Sequence, residues 1–242
     1  MRPSIPLFAL AASLAVGPTA PALGSTGEAA RKLNFDVFLD DRAIGYQRFE
    51  LSSAGGGVRV ETRAEFEVKL LLITAFAYDH RNTELWSDGC LQAIDARTDS
   101  NGKLYAVSGK ARGDAFVVAT NEGERRLGDC VASFAYWDRE LLLQRRQLLN
   151  SQTGEYVPVR IDPLGRDRIR IGERDVPVER YALKGKQLDI TLAYDAGSGE
   201  WVALDSRLEG GRTLRYRRSP AELPGTPDTQ LAQAGDQQET AR

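Results

Sequence analysis

Reactive side chains are scarce in these 242 residues: one histidine (His80), two cysteines (Cys90 and Cys130) and one methionine. A zinc centre of His and Cys ligands has almost nothing to work with, and iron–sulfur or cysteine redox chemistry is excluded by number. A Ser-His-Asp device has only His80 to use. An excess of one charge is missing too. The 32 Lys and Arg against 34 Asp and Glu leave a formal net charge of −2, so no global field points to nucleic acid or an anionic membrane. Beyond residue 24 there is no long apolar run, and at most peripheral membrane contact is expected. No phosphate-cradling loop is present: Gly55-Gly56-Gly57 is followed by neither a helix nor a Lys. No metal and no cofactor are therefore expected.

What is present begins with an address. Arg2, the apolar run Ile5 to Val16 and the small-x-small triplet Ala22-Leu23-Gly24 read as a signal peptide over residues 1–24. The sequence thus predicts an exported chain, periplasmic or secreted. In an oxidising compartment an even pair of cysteines reads as a disulfide, here Cys90–Cys130, the alternative being two buried thiols.

The dominant period is two. Val58, Val60, Thr62, Ala64, Phe66 and Val68 share one face of a strand, and Arg59, Glu61, Arg63, Glu65, Glu67 and Lys69 share the other. Such alternation belongs to antiparallel sheets with one wet face. More than ten short strands follow one another, divided by turn signals such as Ser87-Asp88-Gly89, Asn101-Gly102 and Gly197-Ser198-Gly199. One helix is expected, about 138–150, capped by Asp138, with Leu141, Leu142, Leu148 and Leu149 inward and Arg145 and Arg146 towards solvent. The fold class that results is mainly β: one large curved antiparallel sheet, a barrel or half-barrel, with a single short helix. A single β-rich domain is expected over residues 25–218, and the Pro-, Gly- and Gln-rich 219–242 reads as a disordered tail.

Glu84-Leu85-Trp86-Ser87-Asp88-Gly89, Tyr136-Trp137, Leu148-Leu149-Asn150, Thr153-Gly154, Ala193-Tyr194-Asp195, Trp201, Gly210-Gly211 and Tyr216 occur in an order that resembles a family of exported bacterial β-rich proteins known only as a domain of unknown function. The resemblance implies a Gram-negative envelope setting and an architecture similar to the periplasmic lipoprotein and lipid carriers. It brings no catalytic residues.

A hollow curved sheet suits a hydrophobic ligand. The function expected is therefore a binding or carrier protein for a hydrophobic, lipid-like molecule. The candidate lining is Phe66, Phe76, Tyr78, Trp86, Tyr136 and Trp137, with Phe134 nearby, although core packing explains each aromatic nearly as well. Two other readings stay open. An envelope assembly accessory would act through protein partners and predicts an exposed apolar patch near residues 70–77, which are apolar on both faces and are either covered twice or an exposed lip. An acid–base enzyme inside the barrel would rest on His80, which shares a strand face with Tyr78 and Asn82 and has Glu84 as one conceivable orienting carboxylate. A hydrogen-bonded structural histidine is the plainer reading, and no residue is assigned a catalytic role. Arg207, Arg212, Arg215, Arg217 and Arg218 make the end of the domain basic, as a solvated strand or as a contact for anionic lipid headgroups.

Overall fold

Alternation of the kind seen at 58–69 recurs along the chain, and each recurrence becomes a strand. In the computed structural model, which describes residues 30–70 and 73–223, the first half is a meander of eight strands. These are β1 (Arg31–Leu39), β2 (Arg42–Ala54), β3 (Gly57–Leu70), β4 (Ile73–Ser87), β5 (Cys90–Ser100), β6 (Lys103–Arg112), β7 (Ala115–Thr120) and β8 (Gly123–Leu127). The second half runs β9 (Gln147–Leu149), β10 (Tyr156–Ile171), β11 (Arg174–Gly185), β12 (Leu188–Asp195), β13 (Trp201–Arg207) and β14 (Thr213–Arg218). All fourteen form one antiparallel sheet in the order β8-β7-β6-β5-β4-β3-β2-β1-β14-β13-β12-β11-β10-β9. The two meanders meet where β1 pairs with β14, from Phe35↔Arg218 to Leu39↔Leu214. No ladder joins β8 to β9, so the sheet curls without closing.

Curvature comes from register shifts, which bend a strand and sharpen its twist. They fall at Val37/Phe38, Val68/Lys69, Leu85/Trp86, Pro163/Gly165 and Ala193/Tyr194. Gly45, opposite Val37, has a φ of 155°, and a Cβ there would sit 1.9 Å from the Glu65 carbonyl oxygen. Only glycine lets β2 bend against β3 at that point.

The connection between β8 and β9 fills the concavity. Phe116 N–H donates to the Gly128 carbonyl at 3.0 Å and Leu91 N–H to the Val131 carbonyl at 2.8 Å, which pin it to β7 and β5. Val131, Ala132, Ala135, Leu142, Leu148 and Leu149 of this plug are buried with Leu33, Phe35, Phe116 and Trp201 of the sheet in the main core. The disulfide Cys90–Cys130 ties the plug's start to the start of β5, with Cα atoms 4.9 Å apart.

The plug corrects the helix expectation. Asp138 does cap it, its Oδ1 accepting from Leu141 N–H at 3.0 Å, but the helix α1 covers only Arg139–Leu143. Leu148 and Leu149 are buried as strand β9, paired with Val157 and Tyr156. Arg145 does not face solvent. Its guanidinium reaches the carbonyls of Gly89 (2.6 Å) and Cys130 (3.2 Å), beside the disulfide.

A second apolar cluster lies behind the first: Ile171, Val176, Val178, Ala193, Val202, Ala203 and Leu223. It explains the unbroken run Trp201-Val202-Ala203-Leu204, since a strand covered on both faces has no reason to alternate. Leu223 is 2% exposed, Ser219 N–H donates to the Asn34 carbonyl, and Pro220–Glu222 forms a turn of 3₁₀-helix. The ordered chain therefore passes the expected boundary at 218 and includes residues 219–223. The signal-peptide reading for 1–24 and the rest of the expected tail lie outside the described residues.

Candidate functional site

Between the main core and a third cluster (Val37, Leu39, Ile44, Ala64 and Phe66) the concave face changes character. On β4 every second residue from Tyr78 points inward, giving Tyr78, His80, Asn82, Glu84 and Trp86. His80, Asn82 and Glu84 are 5%, 7% and 4% exposed. Register sets them opposite Ala64, Thr62 and Val60 of β3. Small partners there leave room, and the room is a cavity of about 220 Å³. Its sheet wall is made by β2 to β4 with Leu188 and Tyr216. Its other wall is the plug, through Ser133, Phe134, Tyr136 and Trp137, and the turn that carries Asn150, Ser151 and Gln152.

The plug supplies what the buried polar row needs. Glu84 accepts from Asn82 Nδ2 and from Trp86 Nε1, each at 2.9 Å, and from the Ser133 hydroxyl. Burial pushes the Glu84 carboxyl above its ordinary range, while these three donors pull it back. Asn82 Oδ1 is buried with no hydrogen-bond partner. The Asn150 side chain accepts from the N–H groups of Gln152 and Thr153, which shapes the turn so that Gln152 Oε1 takes the Tyr78 hydroxyl at 3.1 Å. Tyr78, Tyr136 and Tyr216 all hold their protons more tightly than a free phenol, because burial disfavours the phenolate.

His80 is pressed down to about 4 by burial, so it is neutral at pH 7. Its Nδ1 lies 2.8 Å from Thr98 Oγ1, a buried hydroxyl that does not line the cavity. The histidine is thus a hydrogen-bonded wall group. It shares the cavity with Glu84, but among the described residues no hydrogen bond between the two orients it as a base. Among the described residues, no three His, Cys, Asp or Glu side chains gather to hold a metal ion.

The pH dependence of His80 has a definite sign. As pH falls from about 6.5 towards 4, the unfolded chain takes up a proton here and the folded chain does not. Stability should therefore drop by on the order of 3 kcal/mol across that window. Glu84, raised by burial, works in the opposite sense, so the His80 contribution is the difference between this protein and His80→Gln. Urea midpoints at pH 7 and pH 4.5 measure it. Equal pH slopes in both proteins would remove His80 as the cause.

Of the six aromatic residues expected to line a pocket, the structure brings Tyr78, Tyr136 and Trp137 to the cavity. Trp86 stands one layer behind, edge-on to Trp137 with ring centroids 5.6 Å apart. Phe66 belongs to the third cluster and stacks on Tyr78 at 5.1 Å. Phe76 is 37% exposed, and Thr74 to Ala77 are exposed, so this part of the 70–77 stretch is a lip and is not buried on both faces. Residues 71–72 lie outside the described residues. Four of the five arginines of the basic terminal stretch are paired: Arg212 with Asp40, Arg215 with Asp41, Arg217 with Asp205 and Arg218 with Glu222. Sequence reasoning sets Asn82 and Glu84 beside His80 without counting them in the lining, and it misses Ser133 and Gln152 of the plug side. For Asn82 and Glu84 the signal is parity with Tyr78 and Trp86 on β4, which bracket the polar row and mark its face as inward; Ser133 and Gln152 carry no such signal.

The model of the family described as a domain of unknown function (DUF6134) matches residues 35–219. No curated protein matches the sequence. Among solved structures, one that matches is the crystal structure of a beta-barrel-like protein of the domain of unknown function DUF1849 from Brucella abortus. It shares 13% identity at a TM-score of 0.56, over 78% of this chain and 95% of that one. At that identity the likeness speaks for the fold alone: a barrel-like curved sheet.

Proposed function

The chain belongs to the DUF6134 family, and we propose that it is a binding protein that holds a small ligand inside its curved sheet. The observation that carries this reading is the cavity itself, with a buried acceptor, Asn82 Oδ1, left without a donor. Buried polar atoms are nearly always satisfied, and an orphan beside a space is where a ligand group would complete the set. The volume of about 220 Å³ falls below the range of about 300–1,000 Å³ typical for drug-sized ligands. Aromatic rings and amide, hydroxyl and carboxyl groups alternate around it. Both facts favour a small amphipathic molecule, or one end of a longer one, over a wholly aliphatic chain. The disulfide is compatible with an oxidising compartment such as the periplasm. Among the described residues, no helix is long and apolar enough to cross a membrane.

Native mass spectrometry of the protein purified without detergent tests the reading. A small non-covalent mass is expected on the protein and is expected to vanish in Ser133→Trp, where the new ring fills the space. Bare protein in both cases would overturn it. One observation favours a second reading, an envelope accessory that meets a protein partner. Residues 74–76 of β4 extend past its last pair with β5, Tyr78↔Ser100, and 67–70 of β3 extend past the last pair with β2, Gly45↔Phe66. The result is a two-stranded arm carrying exposed Phe76. In the same spectra that reading requires a protein-sized adduct, lost in Phe76→Ser.

A further inference from the structure

The cavity's charge inventory is one-sided. The chain has 32 Lys and Arg, yet none lines this space, and the one carboxyl that does is Glu84. His80 adds no positive charge at pH 7. The unsatisfied atom on the wall, Asn82 Oδ1, is an acceptor. Around these groups stand the rings of Phe49, Tyr78, Phe134, Tyr136, Trp137 and Tyr216.

We propose that the cavity takes a small organic ammonium group, seated among the aromatic rings and beside Glu84 and Asn82. This rests on reading the cavity as a binding site and names the chemical class of its ligand. Each part of the wall selects for it independently. Aromatic faces carry negative potential and attract a cation, most strongly once it is stripped of water. A carboxylate with no cationic partner lowers the cost of burying that cation. An orphan acceptor offers a place for an N–H, or for the polarised C–H edge of a quaternary ammonium. An anion would meet Glu84 with no compensating charge, and a hydrocarbon would leave Asn82 unsatisfied. A free amine and the headgroup of a zwitterionic lipid both present this group.

Three probes of one shape isolate the charge: choline, 3,3-dimethyl-1-butanol and 3,3-dimethylbutyrate, titrated calorimetrically into the full chain at pH 7. Choline is expected to bind at least about tenfold more tightly than the neutral alcohol, with the carboxylate weakest. In Glu84→Gln the preference for choline over the alcohol should shrink to within about threefold. The ranking in the unaltered protein needs no variant, so a poorly folded Glu84→Gln would not shield the proposal. Dihexanoylphosphatidylcholine below its micellar concentration separates the sources. Binding as tight as choline's identifies a lipid headgroup, and exclusion identifies the free amine. If the alcohol binds as well as choline, the ammonium assignment falls while the binding site stands. If none of the three binds, the assignment falls, and the native spectra decide the binding site separately.

Discussion

Trp201→Ala is expected to lower stability by about 3–5 kcal/mol, among the largest effects of any single substitution here. Trp201 is 2% exposed and packs at the junction of the two meanders and the plug. Its ring lies 4.1 Å from Phe35 of β1, 5.5 Å from Phe49 of β2 and 5.2 Å from Tyr136 of the plug, centroid to centroid. Its Nε1 donates to the Ala203 carbonyl at 2.9 Å, so truncation leaves both a void and an orphaned buried acceptor. At about 2–4 °C per kcal/mol for a chain of this size, thermal unfolding should move down by on the order of 10 °C. Trp201→Phe keeps most of the ring contacts and should lose less than half as much. Because Tyr136 also lines the cavity, the alanine variant should weaken ligand retention as well as the fold. A calorimetric scan checks both proteins. Near-equal losses for Phe and Ala would mean that the ring packing does not carry the stability argued for it.

Opening the disulfide is expected to cost about 4 kcal/mol, the chain-entropy value for a closed loop of this length. The effect should be uneven in space. Cys90 opens β5 and Cys130 opens the plug, and the Arg145 guanidinium lies against the same sulfur while bonding the Gly89 and Cys130 carbonyls. Reduction therefore releases the plug first and leaves the β2–β5 ladders standing. Hydrogen exchange should show lost protection at 128–150 before β3 or β4 change. The cavity, half of whose wall is plug, should lose its ligand under the same conditions. Cys90→Ala/Cys130→Ala, followed by melting and exchange, measures this. An unchanged melting point in that variant would show that packing alone holds the plug.

The sheet was legible because alternation is local. Val58 to Lys69 announces a strand with one wet face without knowing its neighbours, and the turn signals divide the rest nearly where the structure does. The plug was harder. Leu148 and Leu149 extend a helical pattern from Asp138, and their partners Val157 and Tyr156 lie beyond a turn whose pairing no local period encodes. The site was hardest, for a physical reason. His80, Asn82 and Glu84 look like residues for the wet face of β4. They are inward because partners make burial tolerable: Thr98 for His80, and Asn82, Trp86 and the distant Ser133 for Glu84. Aromatic residues were the natural guess for a lining, and three of the six guessed, Tyr78, Tyr136 and Trp137, stand at the cavity. The polar half depends on contacts that only folding brings together. Phe76 shows the converse, an aromatic left in water at the end of an arm.

The strand order also sets how the molecule must assemble. Every ladder but one joins consecutive strands, so each meander can form from hairpins with short loops. The exception, β1 with β14, brings Phe35 to Arg218 from opposite ends of the sequence. Loop closure makes such a pairing slow, and it is the step to which the folding rate answers. Arg218, 4% exposed and bonded to Glu222 and the Lys32 carbonyl, clamps that seam, and Glu222 is held in turn by Asn34. Contacts that belong to the rate-limiting structure act on the rate of folding. The clamp, which sits on the seam itself, therefore governs how quickly the curled sheet is made, more than how long it lasts.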